Sequence, residues 1–79
     1  MKRENKITIR LVLKNHPQIL YKITGLISRR GFIITSFKYN SSDNSEFSII
    51  TFNLKNEKRI DFLIKQFQNI YEVTKIKIM

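Results

Sequence analysis

One proline and one glycine bracket the stretch that most restricts how this chain can fold. Pro17 stands where a first helical position loses nothing by lacking an N–H, and Ile19, Leu20, Ile23, Leu26 and Ile27 then recur at helical spacing as one apolar stripe. Gly31 follows the last of them and supplies a left-handed stop, with Arg29 and Arg30 in the final turn against the negative end of the helix dipole. Phe32 to Tyr39 is immediately rich in β-formers, so the spacing predicts a strand joined to the helix with almost no loop.

The flanking segments repeat this grammar. From Lys6 to Lys14, Ile7, Ile9, Leu11 and Leu13 alternate with Thr8, Arg10, Val12 and Lys14, the period-2 pattern of a strand with one buried face, and Asn15 and His16 make a short connection to the proline. The turn-forming run from Asn40 to Ser45 predicts a hairpin into a third strand, Glu46 to Leu54, with Ser48, Ile50, Phe52 and Leu54 on one face and Phe47, Ile49 and Thr51 on the other. Asn56 is placed to cap a second helix carrying Ile60, Leu63, Ile64 and Phe67, and Tyr71 to Met79 alternates as a last strand.

Two helices hide their single apolar stripes together only on one face of a sheet. With right-handed crossovers this gives an α+β, ferredoxin-like βαββαβ domain over residues 1–79, a four-stranded antiparallel sheet with a basic tail at residues 1–5. The second and fourth strands are its edges. The second is the stickier, since Phe32, Ile33, Ile34, Phe37 and Tyr39 leave it apolar with only Lys38 to blunt it; pairing with the same strand of another copy would cover it. A chain of 79 residues buries barely enough apolar surface to fold alone, which also favours association.

Composition removes several function classes. There is no cysteine and a single histidine, His16, so neither a His/Cys metal cluster nor a Ser-His-Asp arrangement can be assembled. The carboxylates Glu4, Asp43, Glu46, Glu57, Asp61 and Glu72 fall on the tail, the loop, helix surfaces and strand ends, and no glycine-rich phosphate loop is present. No run of signal or membrane length occurs, so a cytoplasmic address is the default. The net charge of +9 raises nucleic acid as a partner, but the basic residues run along the whole chain. With no alanine and with 14 isoleucines, 10 lysines and 7 asparagines, the charge reads as AT-rich composition, a solvated surface or the counterpart of an acidic protein. The third strand also lacks the aromatic run of an RNA-recognition motif.

Residues Asn15, Pro17, Leu20, Gly25, Leu26, Ser28, Arg29, Arg30, Gly31, Phe32, Ile34 and Ser36 resemble the first half of an ACT domain. More narrowly they are similar to the small regulatory subunit of acetohydroxyacid (acetolactate) synthase, whose pattern reads Asn-x-Pro-Gly-x-Leu, then Gly-Leu-x-x-x-Arg-Gly-Phe/Tyr-Asn-Ile-x-Ser-Leu. The resemblance implies a homodimer through Phe32, Ile33, Ile34, Phe37 and Tyr39. It also implies an amino-acid effector site at the helix start, with Asn15 on the polar end of the ligand, the amides of Gln18, Ile19 and Leu20 on its carboxylate, and Ile33 of the facing chain beside it. The plainer reading, that Asn15 closes a turn and Ile33 fills an edge, stays open.

Gln18 and Ile33 replace the glycine and asparagine of effector-sensing members, and losing a polar partner costs about 1–3 kcal/mol, so valine feedback is not expected. The chain stops where longer small subunits continue, as short small subunits with weak valine response do. Gly25, with Tyr21, Lys22, Ser28 and Arg29 on the outer helix face, would meet the catalytic large subunit, or is simply a tolerated exposed glycine. By resemblance thiamin diphosphate, magnesium and FAD belong to that partner and no cofactor to this chain, which is itself non-catalytic. A free-standing ACT module that binds a small amino acid is the alternative.

Overall fold

The computed structural model describes residues 6–41 and 46–79. Six elements follow in order: β1 (Lys6–Lys14), α1 (Ile19–Arg29), β2 (Ile34–Ser41), β3 (Phe47–Lys55), α2 (Ile60–Gln68) and β4 (Val73–Ile78). The sheet is antiparallel with strand order β2-β3-β1-β4, so β2 and β4 are the edges, as the apolar patterning required. Residues 1–5 and 42–45, which hold the basic tail, Glu4, Asp43 and most of the expected hairpin loop, lie outside the described residues.

The core is a two-layer sandwich. Ile9, Leu11 and Leu13 of β1 and Ile50, Phe52 and Leu54 of β3 are fully buried beneath Ile19, Ile23, Leu26 and Ile27 of α1 and Ile60, Leu63 and Phe67 of α2. Phe52 anchors the centre, edge-on to Phe67 at 5.8 Å and stacked on Phe37 at 6.3 Å, geometries that favour aromatic pairs. Leu20, expected in the buried stripe, is only half-buried, because the helix face that meets the sheet is centred on Ile23 and Ile27.

Both helices start later than their sequence signals. The amide of Ile19 donates to the His16 carbonyl (3.0 Å) and that of Ile60 to Glu57 (3.3 Å), so each helix is entered through a tight turn of two residues. Pro17 is therefore a turn residue rather than the first helical one, and Asn56 does not cap α2: Arg59 takes that position, with no side-chain cap. The end of α1 follows expectation. Gly31 has φ +77°, its amide reaches the Ser28 carbonyl (3.1 Å), and the Phe32 amide reaches Ile27 (3.3 Å), the two bonds of a Schellman motif.

Phe32 is consequently a core residue, only 7% exposed, and not part of the edge strand. The Arg59 guanidinium covers its ring at 4.6 Å and also bonds the Arg30 carbonyl, while Arg30 lies 4.9 Å over Phe62. These two reciprocal cation–ring contacts pin the end of α1 to the beginning of α2. β2 starts at Ile34, two residues later than predicted, and takes in Asn40 and Ser41, which the turn signals had assigned to the loop.

Candidate functional site

The start of α1 is already satisfied from within. Beyond the Ile19–His16 bond, the Gln18 amide donates to Nδ1 of His16 (3.1 Å), so two of the three amides expected to receive a ligand carboxylate are held by one residue. This is an i to i+2 turn bond outside the helix: Gln18 takes the N-cap position, and no side chain caps α1. His16 thus organises the turn that leads into the helix, a role the sequence did not reveal. The Asn15 amide donates to the Glu46 carbonyl (2.8 Å) and ties the end of β1 to the start of β3, which suits turn closure.

Ile33 sits far from that turn. Its carbonyl accepts from the Lys55 amide (3.1 Å) at the far end of β3, whereas Asn15 lies beside the beginning of the same strand. Eight steps along a strand span roughly 27 Å, so within one chain Asn15 and Ile33 stand at opposite ends of the sheet, and only a second chain can bring them together. Every residue of β2 is exposed, with Ile34, Phe37 and Tyr39 aligned on the helix-facing side yet 37–40% open to solvent. Ser48, opposite Leu13 of β1 and Ser41 of β2, is 2% exposed, and its hydroxyl has no partner among the described residues.

On the outer surface of α1, Tyr21, Lys22 and Arg29 line a groove of about 470 Å³ between the helices, with Leu26 on its own helix and Gln66 and Ile70 from the second-helix side. Tyr21 is 77% exposed. Lys22 is engaged with Glu72, its ammonium 3.2–3.3 Å from both carboxylate oxygens across the junction between α1 and β4. Glu72, assigned from sequence to a strand end, is mostly buried there. Its own backbone amide, and then Lys22, hold its carboxyl below the ordinary value against the opposing effect of desolvation. Gly25 is not an open slot: a Cβ there would stand 3.2 Å from the Arg29 guanidinium, which folds back over it, while the Ser28 carbonyl is occupied by Gly31.

Seven of the thirteen lysines and arginines among the described residues share one surface. Strand register puts Lys6, Arg10 and Lys14 of β1, Lys38 of β2, Lys55 of β3 and Lys75 and Lys77 of β4 on the sheet face opposite the helices. None of the carboxylates among the described residues, Glu46, Glu57, Asp61 and Glu72, projects from a strand on that face. Phe47 (42% exposed) and Ile49 share it, and Tyr71, at 80% exposed, lies beneath the Lys14 ammonium at 5.0 Å. Phe47, Phe62 and Tyr71 are thus surface aromatics. Period-2 bookkeeping of charge along each predicted strand would have exposed this segregation.

Among the described residues no group of three His, Cys, Asp or Glu is arranged to hold a metal ion, and no helix is long and apolar enough to cross a membrane.

A family model described as the AHAS small subunit-like ACT domain matches residues 9–75. The chain is 31% identical over 72 residues to a probable acetolactate synthase small subunit of Archaeoglobus fulgidus, covering 90% of this chain and 45% of that one. It is 34% identical over 71 residues to acetolactate synthase small subunit 2, chloroplastic, of Arabidopsis thaliana, covering 89% and 15% respectively. The chain therefore spans less than half the length of either relative. The crystal structure of the acetolactate synthase small subunit from Thermotoga maritima superposes with a TM-score of 0.81 at 25% identity, over 94% of this chain and 47% of that one. The chain belongs to the AHAS small subunit-like ACT domain family.

Proposed function

We propose that the chain is a non-catalytic small subunit of an acetolactate synthase in branched-chain amino-acid biosynthesis, an ACT domain that docks on a separate catalytic subunit and raises its turnover. The observation that carries this reading is the likeness, over nine-tenths of the chain, to two acetolactate synthase small subunits. The wholly exposed β2 edge supports a homodimer: Ile34, Phe37 and Tyr39 would be covered by the same strand of a second copy, giving one eight-stranded sheet. Docking then biases the catalytic subunit toward its competent arrangement, for which a few kcal/mol of differential binding suffices. Thiamin diphosphate, magnesium and FAD are assigned to that partner, and the assembly to the cytoplasm.

Valine sensing is not part of the proposal. His16 holds the Gln18 and Ile19 amides, and Gln18 and Ile33 stand where effector-sensing members carry glycine and asparagine. The purified chain, titrated into a cognate catalytic subunit, is expected to raise its turnover severalfold at saturation; unchanged turnover refutes the reading. Calorimetry with valine, leucine and isoleucine is expected to show no saturable heat, and saturable binding that is lost in an Asn15→Ala variant would favour the free-standing sensor instead.

A further inference from the structure

We infer that the open face of the sheet, and not the outer surface of α1, is where the catalytic partner docks, and that the partner presents an acidic surface with an apolar centre. The inference rests on the reading of the chain as a docking subunit and names the surface that does it. Three observations carry it.

The first is the sign of the charge. Among the described residues seven basic ones, Lys6, Arg10, Lys14, Lys38, Lys55, Lys75 and Lys77, lie on this face, and no carboxylate projects from its strands. Two pairs are direct cross-strand neighbours, Arg10 opposite Lys77 and Lys6 opposite Lys55. Like charges facing each other across a ladder destabilise the sheet that carries them, so an anionic counterpart relieves a cost present in the free chain. The same charge excludes a second copy of this chain stacked face to face.

The second is the layout. Val12, Ile49 and Phe47 form an apolar strip on β1 and β3, and cations flank it from β2 at Lys38, from β4 at Lys75 and Lys77, and at the strand ends. An apolar centre with a charged rim is the anatomy of a protein–protein interface. A single-strand nucleic-acid platform instead lines its centre with aromatic rings, and here Phe47 is the one ring on the strip, with Tyr71 at the rim beneath Lys14. Four strands about 4.8 Å apart and roughly 25 Å long offer about 480 Å² per chain, and two chains joined at β2 offer about 960 Å². Only the joined face reaches the ~800 Å² per partner of a stable complex.

The third is that the two cations of the rival surface are engaged within the chain: Lys22 is paired with Glu72, and Arg29 is folded over Gly25.

The test is affinity for the cognate catalytic subunit, measured for the full chain, for Lys38→Glu/Lys75→Glu/Lys77→Glu, and for the helix-side control Lys58→Glu/Lys65→Glu. The open-face variant is expected to bind at least about 30-fold more weakly and the control within about threefold, and wild-type binding is expected to weaken about tenfold or more between low and moderate salt. Lys77→Glu alone faces Arg10 and is expected to raise the thermal midpoint, so weakened binding by that single variant is not a loss of folding. If the wild type binds and the open-face variant binds equally well, this inference fails while the proposed function stands. If the wild type does not bind, both fail. Retention of a labelled uridine homopolymer at moderate salt, abolished by the open-face variant while catalytic-subunit binding is untouched, overturns the inference in favour of nucleic acid.

Discussion

Replacing Gly31 by alanine tests the link between sequence punctuation and fold most cleanly. The residue sits at φ +77° with nothing within 4 Å of where a Cβ would be, so the substitution adds conformational strain without a clash. Holding an L-residue in the left-handed region costs roughly 1–2 kcal/mol, and the more restricted unfolded chain returns up to about half of the upper figure, leaving a net loss of about 1 kcal/mol. For a domain of this size that lowers the thermal midpoint by about 4–8 °C, read by circular dichroism at one fixed protein concentration because dimerisation would shift it. Asparagine, which tolerates this region, is expected to recover part of the loss, and D-alanine introduced by chemical synthesis to exceed the wild type. An alanine variant within 1 °C of wild type would mean that the helix does not end in the Schellman motif in solution, and that the path of Phe32 into the core is set by something else.

Ser48→Ala removes a buried hydroxyl that has no partner among the described residues, and is expected to stabilise the domain by about 1–2 kcal/mol; a fall in thermal midpoint would reveal an acceptor. The Glu72 carboxyl is held below 4.5 by its own amide and then by Lys22, so its stabilising contribution is complete above about pH 4.5 and fades as the pH falls through its lowered value. Glu72→Gln should therefore lose less stability than wild type on acidification from about pH 5 to about pH 3, and parallel acid limbs would dismiss the pairing. Tyr39→Lys places a charge on the exposed edge beside Lys38 and is expected to weaken self-association at least about tenfold in sedimentation equilibrium while leaving the far-ultraviolet spectrum intact. His16→Ala frees the Gln18 amide and should cost about 0.5–1 kcal/mol, the worth of one hydrogen bond, with His16→Asn restoring most of it; equal midpoints for all three would show that the imidazole does not hold the turn.

The architecture was legible because most buried positions repeat a period. Ile9, Leu11 and Leu13 alternate, Ile23 and Ile27 recur one turn apart, and these residues form the core. Helix entry was not legible. Pro17 and Asn56 are good starting signals, but the chain makes a tight turn before each helix, a choice between hydrogen bonds at i+3 and i+4 that side-chain preference does not decide. Phe32 reads like a strand residue because aromatics favour strands; its burial follows from the glycine stop, which swings it under Arg59. The Lys22–Glu72 pair spans fifty positions of sequence and leaves no local trace. The basic face was readable residue by residue, yet it emerges only when four strands are laid in register.

The strand order also bears on how the chain is made. β1 has β3 and β4 as its neighbours in the sheet, and both are encoded in the second half of the chain. As the polypeptide leaves the ribosome, its first strand waits without a hydrogen-bonding neighbour through the synthesis of α1 and β2, and β2 itself pairs only when β3 emerges. Until then α1 is the one element able to form from local bonds, so the sheet assembles only after β3 has emerged, and the apolar strands of the nascent first half are the part most open to misassociation.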